Sequence, residues 1–209
     1  MSHAITADLL EEAMTDPEYR TMIDRLLSED KTTGDNHSPD MLHYTGLNVQ
    51  RMQRLDRVTQ LDPALVKALK GIDRPWIWLI LTEAWCGDAA QNIPVLVQMA
   101  EVSARIRVKL LLRDEHSDLM DAYLTHGSRS IPKVICLTED LQEIGTWGPR
   151  PAPAHQIMTE FKQEHPDEPY QKIAEAMQLW YARDRTNTLQ REFVELLEEW
   201  KEKSESLSK

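Results

Sequence analysis

The sequence predicts an α/β fold in which a short sheet lies between helical segments at the two ends of the chain. The middle segment, residues 75–150, alternates short apolar runs with stretches of helical pattern, as strands and helices in succession do. Residues 1–74 and 151–209 instead place apolar side chains at helical spacing, and only 7 of the 209 residues are glycine. We therefore expect a core over residues 75–150, on which an N-terminal helical extension (1–74) and a C-terminal one (151–209) are packed.

Four helices are expected in the N-terminal extension. Thr6 is a suitable N-cap for the first helix, and the Asp-Pro-Glu sequence at residues 16–18 marks the start of the second. The polar residues 28–39 indicate a loop. A third helix is expected over about residues 47–58, and a fourth covers residues 62–71, from an Asp-Pro start to a terminal glycine.

Four strands and two helices are expected in the central segment. The first strand, residues 76–81, is continuously apolar and is typical of a strand covered on both faces. The strand–helix–strand order predicts parallel pairing of the first two strands, and a short turn predicts a hairpin for the last two. The remaining elements are a helix over about 88–103, a strand over 106–112, a helix over 118–124, and strands over 133–137 and 141–147 joined at 139–140.

Prolines and helical patterns define the C-terminal extension. Three prolines between residues 149 and 153 predict a stiff connector, which leads into a short helix that ends near residues 165–166. A longer helical pattern starts at Pro169. Because that pattern is long for a globular helix, we expect a break near residues 186–187. Residues 201–209 are expected to be frayed.

Composition and charge exclude several classes of protein. The net charge is −11 and no half of the chain is basic, so we expect no nucleic-acid partner. No stretch approaches the roughly 18 apolar residues of a membrane span, and residues 1–14 lack the positive start of a signal peptide. Two cysteines are too few for a disulfide-stapled secreted scaffold. The sequence therefore predicts a cytoplasmic protein with free thiols, no membrane partner, no metal site and no cofactor.

The sequence Trp85-Cys86-Gly87-Asp88 carries the most specific chemical signal in the chain. A buried strand here delivers a cysteine to the start of a helix, where unpaired N–H groups and a partial positive charge favour the thiolate. Asp88 favours the protonated thiol instead. Cys86 is thus either a reactive thiol or a small buried apolar residue. Asp88 either stabilises the helix start or serves as a proton acceptor or an orienting group for a ligand, and Glu83 is a second carboxylate with the same alternatives.

These residues resemble the active site of the thioredoxin superfamily, in which Trp-Cys-Gly-x-Cys has a proline eight residues after the first cysteine. Cys86 and Pro94 keep that spacing, and Ile131-Pro132 matches the cis-proline dipeptide of the family. Gly148 falls where thioredoxins have a glycine near the end of the last strand. The resemblance covers about residues 72–150. Within the family, the sequence looks like a bacterial branch. It implies a thioredoxin-like α/β/α sandwich with added helices at both ends, and a cis-proline ring beside the Cys86 sulfur.

The second cysteine of the family motif is replaced by Ala89, so the thiol that resolves mixed disulfides is missing. Cys136, four residues past Pro132 in a predicted strand, is about 13 Å from the active end. Disulfide-bonded Cα atoms lie within about 7 Å of each other. We therefore expect no Cys86–Cys136 disulfide and a buried structural role for Cys136. The acid that thioredoxins bury in the first strand is here Ile80.

Two functions are compatible with this resemblance. In the first, the chain is a monothiol thiol–disulfide oxidoreductase acting on a disulfide of a protein or of a low-molecular-weight thiol. Cys86 would attack the disulfide, Asp88 is the candidate proton acceptor, Pro132 would shape the groove, and an external thiol would resolve the adduct. In the second, the chain is a redox-inactive binding module that uses the cis-proline groove for a peptide or a partner. The candidate substrate-contacting residues are Trp85, Gly87 and Ile131.

Four further expectations concern the surroundings of this site. Trp85 is expected to pack beside the sulfur and shield it. His126 either approaches the site from the cis-proline loop or lies on a surface loop. Arg150 either pairs with an acidic helix or contacts an anion. Apolar positions of the terminal helices that the fold leaves uncovered could form a homodimer.

Overall fold

A computed structural model describes residues 5–207 of the chain. Within this range the chain forms four strands and nine helices, and their types agree with those expected from the sequence. The largest difference in bounds is the third helix, which starts at Pro39 rather than near residue 47, because Pro39 and Asp40 favour its first turn. The elements are α1 (Ala7–Glu12), α2 (Asp16–Ser28), α3 (Pro39–Val58), α4 (Pro63–Lys70), β1 (Trp76–Thr82), α5 (Gly87–Glu101), β2 (Ile106–Leu112), α6 (Ser117–Ala122), β3 (Lys133–Thr138), β4 (Glu143–Trp147), α7 (Ala152–Glu164), α8 (Tyr170–Asp184) and α9 (Asn187–Leu207).

The four strands form one mixed sheet in the order β2-β1-β3-β4. β1 pairs in parallel with β2, with Trp76 opposite Ile106, and antiparallel with β3, with Trp78 opposite Cys136. β3 and β4 form the expected hairpin. β4 starts two residues later than expected because Leu141 has a left-handed φ of 62°, which belongs to the turn.

The sheet is covered on both faces, as the apolar sequence of β1 predicts. All seven residues of β1 are buried. Because neighbouring side chains of a strand point to opposite faces, complete burial of β1 requires helices on both sides. The chain therefore has the α/β/α layers of a thioredoxin-like fold with extra helices at both ends.

Some helices of each terminal segment share one hydrophobic core with the sheet. Tyr19 and Ile23 of α2 and Leu65 of α4 are fully buried in it. From the other end of the chain, Phe193 and Trp200 of α9 lie in the same core. The Phe193 ring lies 5.4 Å from that of Trp78 and 5.9 Å from that of Trp200. These edge-on aromatic contacts fix α9 against the sheet.

A second, smaller apolar cluster lies between α7 and α8. It consists of Ala154, Met158, Ile173, Met177 and Tyr181. α8 reaches the rest of the protein through polar side chains: Gln178 accepts a hydrogen bond from Gln91 Nε2 at 2.6 Å, and Tyr181 accepts one from Asn92 Nδ2 at 3.0 Å. Both partners lie on α5, so α8 packs beside the helix that follows β1.

The end of the chain is more ordered than the sequence predicts. The helical pattern breaks where expected, since Arg185 and Thr186 both have left-handed φ angles. The expectation that residues 201–209 fray is wrong for residues 201–207, because α9 continues to Leu207; residues 208 and 209 lie outside the described range. None of the helices in residues 5–207 combines the length and apolar content that crossing a membrane requires.

Ser204 explains why the polar end of α9 stays helical. Its side chain is buried, and its hydroxyl accepts a hydrogen bond from Trp76 Nε1 at 3.2 Å. We expect Ser204→Ala to lower the free energy of unfolding by about 1–2 kcal/mol, because a buried indole N–H loses its acceptor. Urea unfolding measures this loss. The exposed Ser206→Ala is the matched control, and equal effects of the two changes would contradict this role of Ser204.

Candidate functional site around Cys86

Cys86 lies between the end of β1 and the start of α5. A turn at residues 83–86, closed by a hydrogen bond from Cys86 N to Glu83 O at 3.1 Å, redirects the chain from strand to helix. Cys86 is the N-cap of α5, and its Sγ accepts the Ala89 N–H at 3.5 Å. The strand-to-helix position expected for this cysteine is therefore the one observed.

The Cys86 sulfur is buried and in contact with the carbonyl before the proline. The residue is 9% exposed, and its Sγ–H donates to Ile131 O at 3.4 Å. The Ile131–Pro132 peptide bond is cis, and so is Gly148–Pro149. Burial, and then the negative charge of Asp88, raise the pKa of the Cys86 thiol to about 12. The sequence predicts opposing effects of the helix start and of Asp88. Burial, which was not part of that prediction, adds to the effect of Asp88, and together they outweigh the N–H groups of the helix start.

Asp88 is held by a largely buried ion pair with Arg150. Arg150 Nε donates to Asp88 Oδ2 at 3.0 Å, and the two side chains are each 13% exposed. The hydroxyl of Tyr181 donates to Oδ1 at 2.7 Å. Both carboxylate oxygens are thus engaged, and the pairing of Arg150 with an acidic helix is the alternative that the structure shows. Asp88 connects α5 to the connector after β4 and to α8.

Glu83, the first residue of the turn at residues 83–86, is completely buried. Its Oε1 accepts the Asp114 N–H at 2.9 Å, whereas Oε2 has no hydrogen-bond partner among the described residues. Burial raises the pKa of Glu83, and the hydrogen bonds from Thr33 and Asp114 only partly oppose this effect. Folding therefore makes the Glu83 carboxyl easier to protonate than it is in the unfolded chain.

This burial predicts a pH-dependent loss of stability that Glu83→Gln removes. A carboxyl whose pKa is raised by folding contributes its full stability below its ordinary value of 4.5, and loses it as the pH rises through the folded pKa. Glutamine copies the neutral acid. We expect the stability of Glu83→Gln relative to the unchanged protein to increase as the pH rises above 4.5, as measured by urea unfolding at each pH. A difference that stays constant with pH would contradict a raised pKa.

Cys136 lies away from this site, in the middle of β3. It is completely buried, and both cysteines are free thiols. Burial raises the pKa of Cys136 well above its ordinary value. His126 is exposed on a surface loop, where its ring stacks on that of His155 with centroids 5.1 Å apart. Trp85 is half-buried, and the Arg113 guanidinium lies 4.9 Å from the centroid of its ring.

A cleft of about 1030 Å³ opens beside Cys86, and we call it the Cys86 cleft. Trp85, Cys86, Gly87 and Asp88 line its inner end, while Ile131 and Pro132 are buried and do not line it. One wall is α3, through Asp40, Met41, His43, Tyr44, Leu47 and Arg51. A second wall is α8, through Gln171, Ala174, Glu175, Met177 and Gln178, and the remaining lining comes from Met158, Asp114 and residues 33–36.

Sequence reasoning located Cys86 but missed both walls of the cleft. The usable signal was the spacing of Asp40, Tyr44, Leu47 and Arg51, which places charged and apolar side chains on one face of a helix. Because the sequence predicts the third helix only from about residue 47, Asp40 and Tyr44 have no place on this face in that prediction. Among the described residues, no three histidine, cysteine or acidic side chains lie close enough together to hold a metal ion.

Comparison with known proteins identifies the family. A family model described as thioredoxin matches residues 34–162, which is more than half of the chain. Two similar solved structures are an HIV epitope scaffold and a protein of unknown function from Pseudomonas aeruginosa. Each has 18% sequence identity and a TM-score of 0.62, and each comparison covers 93% of this chain and 98% of the other. At this identity the likeness shows the fold alone. No curated protein matches the sequence.

Proposed function

The chain belongs to the thioredoxin family, and from that premise we propose that it is a binding member of the family, in which Cys86 stays a protonated thiol and the Cys86 cleft holds a ligand. The observation that carries this proposal is the state of the sulfur. Cys86 is buried, its Sγ–H donates a hydrogen bond to Ile131 O, and the pKa of its thiol is raised to about 12. Because the thiolate is the nucleophile in disulfide exchange, a thiol in this state is a poor one.

The residue one helical turn after Cys86 supports the same proposal. Ala89 is buried and has no thiol, so a mixed disulfide at Cys86 would have no partner within the site. The position of the open space changes one part of the sequence-based hypothesis. Because Ile131 and Pro132 are buried, the ligand is proposed to lie between α3 and α8 rather than over the cis-proline.

A second candidate function is monothiol thiol–disulfide exchange. It is favoured by the position of the Cys86 sulfur, which caps α5 and lines a cleft large enough for a substrate. In that reaction the Cys86 thiolate would attack one sulfur of a disulfide, form a mixed disulfide and release the other sulfur as a thiolate. A thiolate from an external low-molecular-weight thiol would then attack the mixed disulfide and regenerate Cys86.

Disulfide reduction separates the two functions. The full chain and Cys86→Ala are assayed for reduction of insulin with a supplied dithiol, and Cys136→Ala serves as the matched control. We expect the unsubstituted chain to give the same rate of insulin reduction as Cys86→Ala. A rate that depends on Cys86 would replace the binding function with the monothiol reaction.

Ala89→Cys adds a second arm to this test. Position 89 lies one helical turn from Cys86, so a cysteine there provides an intramolecular resolving thiol. If the cleft serves binding alone, the variant forms the 86–89 disulfide and still does not reduce insulin. A variant that gains reductase activity would show that the site admits disulfide substrates.

Location and partners stay predictions from the sequence. We propose a cytoplasmic protein that binds neither nucleic acid nor membranes, on the basis of its acidic charge and the absence of long apolar stretches in its sequence. A homodimer is the proposed assembly. Light scattering of the purified chain distinguishes a monomer from a dimer.

A further inference from the structure

We propose that the Cys86 cleft binds a short peptide, whose free carboxyl terminus pairs with Arg51 and whose positively charged amino-terminal end lies among acidic side chains at the cleft mouth. This inference rests on the proposed binding function and names its ligand. The ligand-recognising residues named here lie on α3 and α8, in the two helical extensions. They are outside residues 72–150, over which the sequence resembles thioredoxins.

Arg51 is a cation without a counterion at the inner end of the cleft. Its Nη1 donates to Asn48 Oδ1 at 2.7 Å, and no acidic side chain of residues 5–207 forms an ion pair with it. The guanidinium is half-buried, and burial lowers the pKa of Arg51. Nη1 lies 3.9 Å from the position that a Cβ on Gly87 would occupy, so the charge is beside the start of α5.

The Arg51 side chain is held in place by a buried amide. Asn48 is completely buried, and its Nδ2 donates to Ala84 O at 2.9 Å, which anchors it to the turn before Cys86. Arginine donates from a planar fork that fits a carboxylate with two parallel hydrogen bonds. A ligand carboxylate here would supply the missing counterion and also face the N–H groups at the start of α5.

The face of α3 that lines the cleft has a charged group at each end and apolar side chains between them. Asp40, Tyr44, Leu47 and Arg51 are spaced by four, three and four residues, which puts them on one side of the helix. Arg51 lies eleven positions after Asp40, which corresponds to about 16 Å along the helix axis. An extended peptide of about five residues covers that distance.

The mouth of the cleft is acidic. Asp35, Asp40 and Glu175 are exposed there, and no basic side chain among the described residues forms an ion pair with any of them. Their charge attracts the positive end of a ligand and repels a wholly anionic one such as a nucleotide. A wholly cationic ligand would leave Arg51 without a partner. A peptide with a charge of each sign at its two ends satisfies both ends of the cleft.

The wall formed by α8 offers hydrogen bonds to a peptide backbone. Gln171 and Gln178 lie seven residues apart on α8 and line the cleft. The Gln171 amide can donate and accept, while Gln178, whose Oε1 accepts from Gln91, offers its Nε2 as a donor. Met158 and Met177 add adaptable apolar surface to the cleft lining. We therefore expect the cleft to recognise the two charged ends of the peptide specifically and to accept different side chains between them.

A random pool of pentapeptides tests the proposal directly. The pool is prepared with free carboxyl termini and again as C-terminal amides, each is equilibrated with the immobilised full chain, and the retained peptides are quantified by mass spectrometry. We expect free acids to be retained at least about 10-fold over amides, since hydrogen bonds between two charged groups are stronger than those to a neutral amide. N-acetylation of the pool is expected to reduce retention of the free acids.

Variants locate the recognition. Arg51→Gln is expected to remove the preference for free acids, whereas Arg54→Gln, on the same helix but outside the cleft lining, is expected to keep it. Asp40→Asn combined with Glu175→Gln is expected to remove the effect of N-acetylation. Comparison of acids with amides on the unchanged chain stays decisive if a variant fails to fold.

Equal retention of acids and amides, or no retention above bare resin, would overturn this inference and leave the binding function to be judged by the disulfide assay. Peptides retained only as disulfides with Cys86, and released by a reductant, would instead count against the binding function itself. Preference for acids that survives Arg51→Gln would overturn the assignment of Arg51.

Discussion

Replacing Asp88 with asparagine is expected to lower the free energy of unfolding by about 3 kcal/mol, because the change leaves the largely buried Arg150 guanidinium without its counterion. The Tyr181 hydroxyl also loses a charged acceptor. Urea unfolding followed by tryptophan fluorescence measures the effect. The connector after β4, α5 and α8 meet at this carboxylate, so its loss loosens three elements together.

Two controls define this result. Asp88→Asn combined with Arg150→Gln is expected to recover most of the lost stability, since removing both charges of a buried pair costs less than removing one. Asp121→Asn makes the same substitution in the exposed pair with Arg129, where the side chains are 49% and 51% exposed, and is expected to change little. A double variant less stable than Asp88→Asn would contradict the role of the buried pair.

Trp200→Ala is expected to lower the free energy of unfolding by about 4 kcal/mol, which is within the range found when a buried aromatic residue is truncated to alanine. Trp200 is buried between α9 and the sheet, where its ring lies 6.5 Å from that of Trp76 and 5.9 Å from that of Phe193. It also lies against Gly145 of β4, where a Cβ would collide with the indole. The measurement is again urea unfolding.

The contact between Gly145 and Trp200 gives this prediction a specific control. Gly145→Ala is expected to be strongly destabilising in the unchanged chain, because the added methyl has no space. In the Trp200→Ala background the same change is expected to cost much less, since the indole is gone. Additive effects of the two changes would contradict the packing described for α9.

Local sequence patterns were sufficient for the junction that carries Cys86. A continuous apolar run predicts β1, and the residues after it predict the start of a helix, since strands and helix starts depend on neighbours in the sequence. The same holds for the hairpin of β3 and β4 and for the break before α9. In these places the residues that determine the structure lie next to one another in the chain.

The environment of the site depends on contacts that are distant in the sequence. Tyr181 meets Asp88 across 93 residues, and the buried state of Cys86 depends on Ile131, 45 residues away. No local sequence pattern predicts contacts between residues so far apart in the chain. The helix start alone therefore suggested a more reactive thiol than the buried Cys86 provides. The end of α9 was missed for the same reason, since Ser204 bonds to Trp76 across 128 residues.

The pH dependence of Cys86 alkylation tests the central claim most directly. The full chain is treated with iodoacetamide at pH 6 to 10 for short times, and modification of Cys86 is quantified by mass spectrometry of its peptide, with urea-unfolded chain as the reference. We expect the unfolded reference to reach half its maximal rate near a pH of about 8.5, the ordinary value for a cysteine. In the folded chain, where the pKa of Cys86 is raised to about 12, the rate should stay far lower and still be rising at pH 10. A folded chain whose Cys86 reaches half its maximal rate at or below pH 7 would contradict a protonated thiol and the binding function built on it.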